Sequence, residues 1–296
     1  MKGVKEIRRR IRAVQNTAKI TKAMQLVASA KMKKAQQMAL CSRPYMLLLT
    51  EIAENVSHFD SQKLKHPFFE RRDVQTRGIM VIGTDRGLCG ALNQSILKYI
   101  NATIPKNAAA KFITIGKKAT HLISLSRREI IAHFNVSDRT EYHELAPIVE
   151  FLKNAYLTGE IDSLEIVFAQ YLNPLVQEPC SQHILPMLDF TAELERFRKN
   201  IRLPEEEIVF DERPTLVEPD ICSVIALLSQ MFLSQNIYRV ILEAKASEHS
   251  SRTTAMKGAT DNAEALAKDL SLEYNKLRQS AITNEIIEIS AAIQSV

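Results

Sequence analysis

The sequence predicts a mixed α/β chain in which long N- and C-terminal helices wind into an antiparallel coiled coil carrying an inserted, Rossmann-like α/β globular domain. Three observations lead there. Apolar and small residues recur at heptad spacing through residues 1–60, no proline follows Pro219, and the middle alternates short apolar runs with amphipathic ones. Composition agrees, because 8 glycines and 10 prolines in 296 residues fall well below their usual shares of about 7% and 5%. A chain so poor in turn formers builds long uninterrupted elements. With 46% hydrophobic and 25% charged residues, it suits one large or two ordinary folded domains, and disorder and collagen are excluded.

Residues 1–60 make the first element. One seam reads Ile7, Val14, Thr21, Ala28, Ala35, Ser42, Leu49 and Val56; the other reads Ile11, Ala18, Gln25, Met32, Ala39, Met46 and Ala53. A repeat of about 3.5 residues held this long specifies a left-handed coiled coil, and its alanines let a partner backbone approach closely. Pro44 should bend this helix or end its first part, because the ring removes a hydrogen bond and clashes with the preceding turn.

Residues 74–194 make the globular insert. Strands are predicted over 78–84, 111–116, 129–134, 164–171 and 183–188, with helices over 93–104, 117–125 and 144–157. Apolar strands alternating with helices form βαβ units on a small sheet. Residues 195–219, rich in charge and proline, link back to the rod. Residues 220–296 form the last helix, about 110 Å long at about 1.5 Å per residue, with Gly258 as its one weak point. Its predicted stripe runs Ile221, Ile225, Leu228 and Phe232, then Ala259, Ala263, Leu266, Leu270, Leu277 and Ala281, with isoleucines at 282, 286, 289 and 293 closing it. This helix is longer than the first, so one end should project unpaired. Ile286, Ile289 and Ile293 then need an external apolar partner.

The net charge of +5 is unevenly spread: residues 1–34 hold Lys2, Lys5, Arg8, Arg9, Arg10, Arg12, Lys19, Lys22, Lys31, Lys33 and Lys34 against Glu6 alone. Such a rod could bind a phosphate backbone, yet no aromatic residue precedes Tyr45 to stack on bases. Cys41, Cys89, Cys180 and Cys222 are too far apart for a CxxC motif and read as reduced thiols. The seven histidines show no HExxH pattern, so metal ligation and triad chemistry have little support. No run approaches the roughly 18 consecutive apolar residues of a membrane span, and the basic start lacks the apolar core of a signal peptide. The expectation is a soluble or peripheral chain without a cleaved leader.

One glycine cluster, Gly83-Thr-Asp-Arg-Gly87-Leu-Cys-Gly90, sits where a strand passes into a helix, the place a phosphate loop would occupy. It matches neither GxxxxGK[ST] nor GxGxxG, so a tight turn is the expected role. Two other readings stay open: a nucleotide-dependent α/β enzyme working near Gly87, and a basic coiled-coil arm that binds nucleic acid.

Three blocks carry a resemblance. Residues 20–36 (ITKAMQLVASAKMKKAQ), 84–93 (TDRGLCGALN), and the C-terminal ASEHSSRTTAMKGATDNAEAL with YNKLRQSAITNEIIEI resemble, in order, the gamma subunit of F-type ATP synthase, the central rotor stalk. The resemblance implies a rotor within a hexamer of alpha and beta subunits. Its globular foot would bind the epsilon subunit and the c-subunit ring, and ion flow would be coupled to ATP synthesis or hydrolysis at the beta subunits. It implies no catalytic site, cofactor, metal or nucleic acid of the chain's own, and a peripheral place on the cytoplasmic face of a bacterial inner membrane. Positions matching the family's hexamer contacts are Met24, Arg278, Gln279 and Thr283, and Glu218, Pro219 and Asp220 match its contact with the c ring and epsilon. Leu277 departs from the alanine common in that motif, and no close cysteine pair occurs in residues 195–219.

Overall fold

The computed structural model describes residues 2–57, 67–70, 72–105, 107–138, 140–187 and 217–294. Most of the predicted link, 195–216, lies outside them. The chain divides into two units, one of residues 1–30 with 252–296 and the other of residues 31–251.

The first unit is the meeting of helix α1 (Lys2–Ser57) with the long final helix, here α5 (Ile221–Gln294). In α1 the buried positions are Ile7, Ala18 and Ala28, with Val4, Ile11, Val14, Thr21 and Gln25 half-buried between them. That is the predicted heptad register. In α5 the inward residues are Met256, Thr260, Ala263 and Ala267, followed by the half-buried Leu270 and Tyr274. The predicted stripe is corrected here, since Leu266 is 49% and Leu277 39% exposed. Helical spacing from Ala263 continues to Ala267, and the close approach selects small side chains and turns the leucines outward. Pro44 does not end α1. It is exposed, as is Leu40, so the carbonyl it deprives of a partner is on the side open to water.

The second unit is built on a five-stranded sheet of order β3-β2-β1-β4-β5. The strands are β1 (Arg77–Ile82), β2 (Ala110–Ile115), β3 (Ile130–Phe134), β4 (Ser163–Tyr171) and β5 (Gln177–Leu185). The helices are α2 (Leu92–Thr103), α3 (Lys117–Leu125) and α4 (Ala146–Leu157). The first four strands are parallel, and β5 returns antiparallel at the edge. The predicted last strand, 183–188, therefore starts too late. Its first half, with Gln177, Glu178 and Pro179, alternates polar and half-buried residues as an edge strand allows.

Both faces of the sheet are covered. Ile79 and Val81 pack with α2 and α3 residues such as Ile96, Ile100 and Ile123. Met80 and Ile82 point the other way, into a core shared with Leu152 and Tyr156 of α4, Leu49 of α1, and Leu228, Phe232, Leu233, Ile237 and Ile241 of α5. An 18-residue stretch of α5 reaches a mean hydropathy of 1.3, long and apolar enough to cross a membrane by composition. Those core side chains show why: α5 is apolar because it backs the sheet.

Candidate functional site

In the coiled-coil unit the Thr21 and Thr260 hydroxyls lie 2.7 Å apart. Thr21 can also donate to the Ala18 carbonyl at 3.0 Å and Thr260 to that of Met256 at 2.8 Å. A polar pair inside an apolar seam fixes register. With Thr21 facing Thr260, antiparallel helices place Ile7 beside Tyr274, and α5 beyond about Gln279 has no α1 residue opposite. The predicted contact residues fall on this unit's surface. Met24 is half-buried at the edge of the seam, amid the exposed Ile20, Leu26 and Val27. Arg278, Gln279, Thr283 and Ile286 are exposed, and Thr283 donates to the Gln279 carbonyl at 3.0 Å. Ile282, Ile286 and Ile287 are 47%, 58% and 59% exposed, which makes an apolar surface unlike an ordinary solvated helix end. Ile289 and Ile293 belong to α5, but their side chains lie outside the described residues. Met24 and Arg278 are not brought together: in this register they stand about 30 Å apart along the coil.

In the other unit Glu218, Pro219 and Asp220 are exposed just before α5. Asp220 caps that helix, accepting from the Ser223 amide at 2.9 Å and the Ser223 hydroxyl at 2.6 Å. Those hydrogen bonds hold its carboxyl below the ordinary value. The sequence reading saw a contact residue there and missed the cap, although Asp220 followed by Ser223 ahead of an apolar run is a helix-start signal.

The glycine cluster is consumed by its own structure. Thr84 is buried; its amide donates to Asn93 Oδ1 at 3.2 Å, and its hydroxyl accepts from Asn93 Nδ2 at 2.8 Å. The Thr84 hydroxyl in turn donates to the Arg86 carbonyl at 2.8 Å. The Thr84 carbonyl and the Asp85 carboxylate accept from the Lys118 and Lys117 amides at the start of α3. A side chain at Gly83 would meet Ala119 Cβ at 2.8 Å. The cavity lined by Gly83, Asn93, Ile100 and Ala119 is about 10 Å³, about room for one water. The turn instead meets α5, whose Ser251 hydroxyl donates to the Cys89 carbonyl at 2.7 Å.

Sequence reasoning missed the α5 segment Lys245–Ser250, which is polar yet buried. Ser250 donates to the Pro174 carbonyl at 2.9 Å in the β4–β5 hairpin. One turn earlier Arg239 meets Glu243 at 3.0 Å and also donates to Gln182. Burial raises the Glu243 carboxyl and lowers the Arg239 guanidinium from their ordinary values. Burial, with Glu243 nearby, pushes the Cys180 thiol up to about 11. The signal for this segment was the run of short polar residues on a helix otherwise apolar or charged. Among the described residues no group of His, Cys, Asp and Glu could hold a metal ion.

The ATP synthase family profile matches residues 3–296. The ATP synthase gamma chain of Opitutus terrae is 41% identical over 292 residues, covering 99% of this chain and 98% of its own. That of Methylacidiphilum infernorum is 42% identical over 297 residues, with 99% and 98% covered. Among solved structures, a chain of the Euglena gracilis mitochondrial ATP synthase OSCP/F1/c-ring assembly has the same fold at a TM-score of 0.68 and 16% identity, covering 99% of this chain and 94% of its own. A chain of the Tetrahymena thermophila mitochondrial ATP synthase central stalk and c-ring structure gives 0.58 at 20% identity, covering 81% and 99%. Full-length likeness on this scale places the chain in the ATP synthase gamma chain family.

Proposed function

We propose that this chain is the central rotor stalk of an F1Fo ATP synthase, coupling ion flow through the membrane sector to ATP synthesis and hydrolysis at the beta subunits. The observation that carries the reading is the coiled-coil unit itself. Its seam is alanine-rich, its surface carries mixed charge, and its C-terminal end exposes Ile282, Ile286 and Ile287. A shaft couples by shape, offering each of three surrounding subunits a different face and shifting that subunit's conformational population. Strong local contacts would impede turning.

In this reading residues 1–60 and 220–296 are the coiled-coil helices, 74–194 the globular foot and 195–219 the link between them. Met24, Arg278, Gln279, Thr283, Ile286, Ile289 and Ile293 face the hexamer of alpha and beta subunits. Glu218, Pro219 and Asp220 face the epsilon subunit and the c ring. The chain has no catalytic site, cofactor or nucleic-acid partner of its own and sits, in single copy, at the cytoplasmic face of a bacterial inner membrane. The test is reconstitution with alpha and beta subunits, scored by copurification and by ATP-driven rotation. Arg278→Ala with Gln279→Ala should lower ATP turnover per assembled complex more than it lowers assembly. A turnover equal to wild type removes the two residues from the contact set, and failure of the wild-type chain to assemble removes the rotor reading.

A further inference from the structure

We propose that Asp138 is the joint that fixes the α/β domain to both long helices and sets the torsional stiffness with which the domain and the helices turn together; this rests on the rotor reading. Asp138 follows β3, on the connection into α4. One carboxylate oxygen meets Lys31 Nζ of α1 at 2.5 Å. The other faces Lys245 Nζ at 3.7 Å and His249 Nε2 at 3.8 Å, both on α5. One side chain of the insert thus reaches both helices.

The charges require it. The Lys245 side chain is 5% exposed and is flanked by Asp138 and by Glu248, the latter at 3.5 Å. A buried ammonium that loses a carboxylate is heavily penalised, so the α5 half of the joint holds firmly. Burial alone would raise the Asp138 carboxyl; Lys31, Lys245 and His249 outweigh it and hold the group below its ordinary value, so it stays ionised.

The connection that carries Asp138 is itself pinned. Val136 is buried, Thr140 is 1% exposed and donates to the Ser137 carbonyl at 2.7 Å, and Ser137 donates to Glu144 at 3.2 Å. A few residues on, Tyr142 adds an apolar contact to α5. Its ring meets that of Tyr238 on α5 edge-on at 5.7 Å. On α5 the connection therefore holds at two successive places, which resist twisting where one would act as a pivot.

The experiment holds the reconstituted complex by its hexamer, couples a bead to the α/β domain, and records the bead's angular fluctuation during catalytic pauses alongside ATP turnover. Asp138→Ala and Lys31→Gln should widen the angular distribution at unchanged ATP turnover per turn, and Asp138→Glu should restore the wild-type width. Lys31 is 42% exposed, so Lys31→Gln carries the test even where Asp138→Ala lowers the yield of folded chain. A wild-type width in Lys31→Gln, or a width for Asp138→Glu as great as for Asp138→Ala, overturns the joint. A wild-type complex that hydrolyses ATP without turning the bead overturns the rotor reading instead.

Discussion

Ala28 tests the coil most directly, because it is 2% exposed and the register places it near Met256 and Arg252, themselves buried. Replacing it with tryptophan forces a large ring into a seam sized for a methyl group. Overpacking of this kind costs about 1–3 kcal/mol. In a chain of this size each kcal/mol moves the melting temperature by about 2–4 °C, so the loss expected is of order 2–12 °C in the coiled-coil transition. Ala30 is the control: it is exposed on the same helix two residues away, and Ala30→Trp carries the same change in helix propensity and hydrophobic area. The assay is circular dichroism or calorimetry of the isolated subunit, comparing the two variants with each other. Equal melting temperatures for Ala28→Trp and Ala30→Trp would show that residue 28 faces no partner, and the heptad register would fall with it.

Three further outcomes are expected. Gly116 has φ of +93° and a Cβ there would sit 2.7 Å from the Gly83 carbonyl oxygen, whereas Gly159, with φ of +75°, has nothing within 4 Å. Alanine at 116 should therefore destabilise the α/β domain by more than the roughly 1–2 kcal/mol of a left-handed backbone alone, and alanine at 159 by about that amount; equal denaturant midpoints would refute the close approach. Thiol labelling at pH 8, read by mass spectrometry on the isolated chain, should modify Cys41 and Cys222, which are exposed, before the buried Cys89 or the half-buried Cys180, whose thiol is raised to about 11; prompt labelling of Cys180 contradicts its place against Glu243. The Asp220 carboxyl is depressed in the folded chain, so its cap is fully in force above the unfolded value of about 3.9 and is lost as pH falls through the folded value. The protection of amides at the start of α5, measured relative to their intrinsic exchange rate at each pH, should fall on acidification through that window in wild type and show no such step in Asp220→Asn.

The sequence by itself determined the architecture. Heptads are local and periodic, so α1 and its seam from Ile7 to Ala28 follow from spacing alone, the side chains of Met46, Ala53 and Val56 lying outside the described residues, and each βαβ strand is an apolar run bounded by turn residues, so the first four strands fell close to their predicted places. It also determined the family, through three ordered blocks whose residues need no geometry to be compared. The tertiary structure decided what periodicity cannot reach. Large apolar side chains suggested Leu266 and Leu277 for the α5 seam, but interhelical distance favours Ala267, and that distance is a property of the pair. The edge strand β5 pairs on one side only, so its polar first half gave no apolar signal. Whether a glycine-rich turn cradles phosphate depends on which groups take its amides and carbonyls, and Asn93, Lys117, Lys118 and Ser251 come from elements that only folding brings to it. The same holds for Asp138: a lone aspartate in a connecting segment means little until Lys31 and Lys245, more than two hundred residues apart in the chain, arrive at its two oxygens.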